Sequence, residues 1–342
     1  MGMTTLLDLL DRIGGASVLV VGDLYLDCYV FGRPISISRE APIMVLNEDR
    51  QEERPGGGAA PALALAELGS AVSIAGVVGL DAEAQRLRDL LAGARIDGAG
   101  VIVDSTRPTT TKTRVVAEGF LLFPQQIVRV DRQDRSPATA GIERALSAAI
   151  HAAQCDAILI SDYRSGVVTE QVVAAVREAQ AVRGVLTTVD SQGELAKFGG
   201  FDLVKCNQSE AEALLGHALG DRAARERELS ALRARLDCHC LVVTRGGDGA
   251  SLASANGDGD EGGYAEIPSV NRSEIFDVTG AGDTVVAVMT AALLAGGTAL
   301  EAARLAQVAA GVVVRKWGNA QATRAEIAAE ISKLGPDELT TA

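Results

Sequence analysis

Short apolar runs alternate with Ala-rich amphipathic segments along most of this chain, and that alternation restricts the fold more than any other feature. Residues 17–22, 72–78, 100–103, 157–161, 185–189, 203–205 and 241–244 read as strands, and 62–68, 82–91, 142–152, 169–179 and 222–236 as helices between them. Spacing of this kind gives parallel strands joined by helical crossovers, so the predicted fold is α/β, a doubly wound and mostly parallel sheet flanked by helices. Several strands end on a polar or acidic residue: Asp23, Asp162, Asp190, Asn207 and Thr244. Open α/β sheets bind ligands at the carboxyl ends of their strands, so these residues should line one crevice. For Asp23, capping of the strand end is an equal alternative.

Composition supports this architecture. The chain of 342 residues is 47% hydrophobic but only 3% aromatic, so its core must be Ala, Val, Leu and Ile. Such residues suit helices laid on a buried parallel sheet. A formal net charge of -13, without a long basic run, disfavours nucleic acid and anionic membrane as partners. The apolar runs are too short or too rich in Ala and Gly to span a bilayer. Cys238 and Cys240 flank His239, but the apolar residues that follow favour a strand over a metal site. The N-terminus shows no signal-peptide pattern, which predicts a cytoplasmic protein. Residues 4–13 read as an amphipathic leader helix, 14–335 as the main domain and 336–342 as a disordered tail.

The alternation breaks in two places. Residues 34–54 and 111–131 carry short alternating strands that predict a small β-sheet lid standing apart from the main body. Pro55 then opens a glycine run, Gly56 to Gly58, in front of a helix, where a backbone can approach a ligand or simply turn. Residues 256–263, rich in Gly and Asp, read as a surface hairpin, and 282–294, 299–313 and 324–333 as closing helices.

The densest chemical signal is Asp277-Val-Thr279-Gly280-Ala281-Gly282-Asp283 before an Ala/Val helix. The small residues let successive amides converge at a helix N-terminus, forming an anion hole suited to a phosphoryl group in transfer. Asp283, in the first turn, can accept the proton of an attacking hydroxyl. An ordinary capped helix needs one polar residue there, not the crowd present. No GxxxxGK[ST] occurs, and no GxGxxG opens after a strand, which argues against a P-loop and a dinucleotide fold.

This segment resembles the signature of the ribokinase-like (PfkB) carbohydrate kinases. The likeness runs from about Val18 to Ile327. Gly22-Asp-Leu-Tyr-Leu-Asp27, Ser38-Arg-Glu-Ala-Pro42, Thr111-Lys-Thr-Arg114, Ser161-Asp-Tyr163 and Gly311-Val-Val-Val-Arg-Lys316 resemble one branch, the D-glycero-β-D-manno-heptose 7-phosphate kinases. The resemblance implies that Asp283 is the base and that Gly280, Ala281 and Gly282 form the anion hole. It implies substrate contacts from Asp23, Asp27, Gly56, Gly57, Lys112 and Asp162, with Gln126, Arg129 and Asp131 added from the lid. For the nucleotide it implies Asn207, Glu210, Thr244, Gly246, Asp277, Thr279 and Asn319, the last beside adenine. ATP and Mg²⁺, with Glu210 reaching the metal through water, are the implied cofactors, together with a monovalent cation near Asp277. A homodimer through the lid is the implied assembly. The chain departs from the branch at Ala60, where an Asn is usual, and at Ser165 and Gln192, where lysines are usual. Another PfkB-type sugar, sugar-phosphate or nucleoside kinase, and a silent sugar or nucleotide binder, are the alternatives.

Overall fold

The computed structural model describes residues 3–119, 124–255, 263–270 and 277–334. In chain order the elements are α1 (Met3–Arg12), β1 (Ser17–Gly22), β2 (Leu24–Ile37), β3 (Met44–Gly57), α2 (Ala59–Glu67), β4 (Ala71–Val78), α3 (Ala82–Gly93), β5 (Asp97–Val103), β6 (Thr110–Ala117) and β7 (Gln125–Arg132). The second half supplies α4 (Ala140–Ala152), β8 (Ala157–Asp162), α5 (Glu170–Arg183), β9 (Leu186–Ser191), β10 (Leu203–Asn207), α6 (Gln208–Leu215), α7 (Arg222–Arg235), β11 (Cys240–Thr244), β12 (Ala250–Ser254) and β13 (Tyr264–Ile267). Helices α8 (Ala281–Leu294), α9 (Ala299–Val313) and α10 (Arg324–Ile331) follow.

Nine strands form the main sheet in the order β13-β12-β11-β10-β9-β8-β1-β4-β5. All neighbours from β11 to β5 run parallel, and β12 and β13 return antiparallel at one edge. The predicted parallel core is therefore present. Period-two side-chain alternation divides the apolar residues between the faces: Val18 and Val20 pack with α2, α8 and α9, while Leu19 and Val21 pack with α4, α5 and α7. Both faces are covered, which is why these strands read as continuous apolar runs.

The lid is a separate four-stranded sheet, β3-β2-β6-β7, larger than the sequence suggests. Strand β2 starts at Leu24, one residue after Asp23, and pairs with β3 down to Gly57. Asp23 thus marks the junction of body and lid, and Asp27 belongs to the lid. The register aligns Arg54, Asp27, Lys112 and Asp131 across the four strands, a row of alternating charge. Helix α1 packs on the main body: Leu6, Leu9, Leu10 and Ile13 enter the main core, and Arg324 of α10 donates to the carbonyls of Leu10 and Asp11 at 2.8 and 3.2 Å. The segment 336–342 and residues 256–262 of the expected hairpin lie outside the described residues.

Candidate active site

Helix α8 begins where its first turn can face the carboxyl ends of β9 and β10. Gly280 caps it at φ 79°, a conformation open to glycine, and a Cβ there would collide with the side-chain oxygen of Asn319. Asp277 fixes the approach: its carboxylate accepts from the amides of Thr279 (2.9 Å) and Gly318 (3.0 Å). The approach to Gly280, Ala281 and Gly282 is thereby tied to the segment that follows α9. The orphan amides and positive end of a helix of 14 residues then face the cleft.

Asp283 lies behind this turn, 7% exposed. Burial, together with the nearby Asp190 carboxylate, pushes it up to about 7, while Lys205 and the Tyr163 hydroxyl pull it down. A carboxylate that titrates there is matched to taking a proton near neutral pH. Lys205 and Asp190 are register partners on β10 and β9, paired at 2.7 Å, with Lys205 buried and Asp190 partly so. Burial alone would lower the Lys205 ammonium, yet Asp190 holds it raised and charged. A Cβ on Gly282 would come within 2.7 Å of Lys205 Nζ, so the ammonium stands against the anion-hole turn.

Of the five strand-end residues expected to line one crevice, Asp162, Asp190 and Asn207 share a cleft, Thr244 lies in the neighbouring one and Asp23 lines neither. A cleft of about 140 Å³ is lined by Asp162, Tyr163, Asp190, Gln192, Lys205, Asn207, Glu210, Gly280, Gly282 and Asp283. Through Lys205, Asn207 and Gly282 it joins a more apolar cleft of about 390 Å³, where Thr244, Gly246 and Ala281 meet Gln307, Ala310, Gly311 and Val314. Polar groups at the junction suit phosphates, and the apolar end suits a flat base.

Asn207 and Glu210 form the capping box of α6, a short helix that the sequence reading missed. The Asn207 side chain accepts from the Glu210 amide at 2.9 Å, and Glu210 accepts from the Asn207 amide at 2.7 Å. Their spacing thus has a structural role. Burial raises the Glu210 carboxyl. Among the described residues no group of three or more His, Cys, Asp or Glu is placed to hold a metal ion. A divalent ion carried by nucleotide phosphates and touched by one carboxylate fits these residues; an all-protein cage does not.

In the lid, Asp27 pairs with Arg114 at 2.7 Å, and a Cβ on Gly56 would collide with its carboxylate. Gly57, at φ 58°, brings the end of β3 against the Asp23 carbonyl. The Lys112 ammonium sits 4.1 Å from the ring centre of Tyr25 and 5.4 Å from that of Tyr163.

Several expected residues have other work in this structure. Both Asp23 oxygens accept backbone amides, from Tyr163 (2.8 Å), Ser165 (3.1 Å) and Val167 (3.3 Å), so Asp23 organises the turn after β8. Burial, reinforced by Asp162, raises it to about 6 against the pull of those amides. Asp162 pairs with Lys197 at 2.7 Å and accepts from the Arg164 amide and the Ser191 hydroxyl. Asn319 is not among the residues that line the more apolar cleft: it is buried with its side-chain oxygen against Gly280 and donates to the Pro55 carbonyl at 3.3 Å, joining the lid to the loop before α8. Gln126 and Arg129 are exposed on β7, with Arg129 held in a two-pronged pair by Asp131 at 2.9 and 3.0 Å.

Residues 16–325 match the profile of the pfkB family carbohydrate kinases. The chain belongs to this family. It is 42% identical over 314 residues to the "Bifunctional protein HldE" of Geobacter metallireducens and 39% identical over 320 residues to that of Pelobacter propionicus. The alignments cover 91% and 93% of this chain but 62% and 63% of those relatives, so the chain spans less than two thirds of their length. The same fold occurs in Escherichia coli phosphofructokinase-2, solved in complex with potassium (TM-score 0.75, 21% identity, 94% of this chain and 100% of that one). It also occurs in Arabidopsis thaliana ribokinase complexed with ribose and ATP (TM-score 0.68, 19% identity, 94% and 99%). As a member of the pfkB family the chain is an ATP-dependent carbohydrate kinase. No helix among the described residues is long and apolar enough to cross a membrane.

Proposed function

We propose that this chain transfers the γ-phosphoryl group of ATP to the anomeric hydroxyl of D-glycero-β-D-manno-heptose 7-phosphate, giving the 1,7-bisphosphate, a lipopolysaccharide precursor. The observation that carries the chemistry is Asp283: a buried carboxylate raised to about 7, set in the first turn of α8 beside the converging amides of Gly280 to Gly282. The heptose assignment draws on the likeness to the HldE proteins. In this reading the hydroxyl oxygen attacks phosphorus as its proton passes to Asp283, and ADP leaves with the bridging electrons. Amides at the α8 N-terminus and the Lys205 ammonium stabilise the charge spread over the equatorial oxygens. Glu210 would hold Mg²⁺ through its water shell, and the ion would supply positive charge to the phosphate oxygens. Lys112 meets the sugar phosphate, and Asp27 and Gly56 shape the sugar pocket. Asp277, with its loop, is where a monovalent cation would act.

The lid sheet carries exposed apolar side chains, including Ile35 (63%) and Val130 (60%). We read this surface as the contact of a homodimer. The cytoplasm, which supplies ATP, is the compartment this reading implies.

A second reading is favoured by particular residues. Ala60 offers no hydrogen bond, and the Ser165 hydroxyl is already engaged with Tyr25 at 2.5 Å, so another sugar or sugar phosphate is the alternative acceptor. The deciding experiment is ATP consumption with Mg²⁺ against the heptose 7-phosphate, fructose phosphates, ribose, fructose and adenosine. Turnover limited to the heptose phosphate and lost in Asp283→Asn is expected. Turnover limited to another acceptor would overturn the substrate assignment and leave the mechanism standing.

A further inference from the structure

We propose that Tyr163 is a positioning residue for the base, its phenol holding the Asp283 carboxylate in the orientation from which it takes the acceptor's proton. The inference rests on the kinase reading above. Tyr163 follows the last residue of β8, and its hydroxyl lies 2.9 Å from one Asp283 oxygen and 3.0 Å from the other. Among the described residues it alone hydrogen-bonds the Asp283 side chain. The other charged groups around the carboxylate are Asp190 from β9, Lys205 from β10 and Asp27 from the lid strand β2. Lys205 turns its ammonium to Asp190 and Asp27 its carboxylate to Arg114, so neither fixes the rotation of Asp283.

The phenol is itself held. Asp23 binds the amides of residues 163, 165 and 167, the Tyr163 ring meets the edge of Tyr25 at 5.3 Å, and the Tyr25 hydroxyl is tied to Ser165. A continuous path therefore runs from Asp23 through one turn to the base. Asp23 serves the reaction by holding that turn, without needing to touch the sugar. Burial, with Asp283 adjacent, keeps the phenol well above its ordinary range, so it is a donor throughout neutral pH. Donation favours the ionised carboxylate, the form a base requires, against the desolvation that opposes it.

The test compares Tyr163→Phe with Tyr25→Phe, which disturbs the same turn and leaves the bond to Asp283. Acceptor turnover is followed across pH, and the Asp283 carboxylate is titrated by ¹³C NMR in ATP-free protein, assigned with Asp283→Asn. In Tyr163→Phe, transfer should slow by at least about tenfold, with KM for ATP unchanged. The acid limb of the rate profile and the NMR midpoint should both move to higher pH, while Tyr25→Phe keeps the wild-type midpoint. An unmoved midpoint in folded Tyr163→Phe overturns the proposal. Absence of wild-type turnover with every acceptor would remove the kinase reading, while the NMR midpoint would still decide the Tyr163 bond. Should Tyr163→Phe fail to fold, a fluorinated tyrosine at position 163, a stronger donor, is expected to move the midpoint down; no movement again overturns it.

Discussion

Because Asp283 titrates near 7 in the folded chain and near 3.8 in a free one, its ionisation is unfavourable to folding. The sign follows from linkage: below about 3.8 both states hold the proton, so burial adds no titration penalty. Between that value and about 7 the unfolded chain loses its proton while the native one keeps it, and stability falls as pH rises; above about 7 the full penalty stands. At about 1.4 kcal/mol per unit the upper bound is a few kcal/mol. Asp283→Asn should therefore abolish transfer and raise the melting temperature, more at pH 8 than at pH 5. Calorimetry at the two pH values checks this, and a gain that does not grow with pH would contradict the assigned shift. A carboxylate buried in this way is held at the cost of native stability.

Helix α6 shows how one pair of residues can serve structure and chemistry together. Glu210→Gln keeps an acceptor for the Asn207 amide but removes the charge, whereas Glu210→Ala removes both. The first should leave stability nearly unchanged and raise the Mg²⁺ concentration needed for half-maximal turnover. The second should also destabilise the fold by about 1 kcal/mol, as lost caps do. Urea denaturation beside a Mg²⁺ titration separates the two effects. The α6 box was legible as Asn207-Gln-Ser-Glu210, but the reading passed from β10 to the next amphipathic run. The parallel sheet was legible because buried strands and their helices leave periodic apolar patterns. The glycine-rich start of α8 was legible because its small residues and acids are contiguous. Lys205 and Tyr163 were not recognised as site residues, since their roles come from strands and turns far apart in sequence. Only a charge ending each of two apolar strands, Lys205 and Asp190, hinted at a pair. Asp23, Asp162 and Asn319 show the converse: position at a strand end or helix end is visible in sequence, but which backbone amide or carbonyl takes the side chain is decided by the packed loops.

At the scale of the molecule, the contacts that join body and lid include β2 leaving directly from Asp23, Asn319 reaching Pro55, Arg54 donating to the Trp317 carbonyl at 3.0 Å, and Tyr25 meeting Ser165. If the exposed lid face pairs two copies, a charge on it should separate them. Val130→Lys is expected to shift sedimentation from twice the chain mass of 35.4 kDa to that mass, with the melting temperature little changed. A wild-type protein sedimenting as a single chain would remove the lid dimer from the proposal. The docking of α1 against α10 has a mechanical consequence. Arg324 clasps carbonyls at the end of α1, so a pull applied through the two helices would first shear this clasp, sparing the central sheet until it parts.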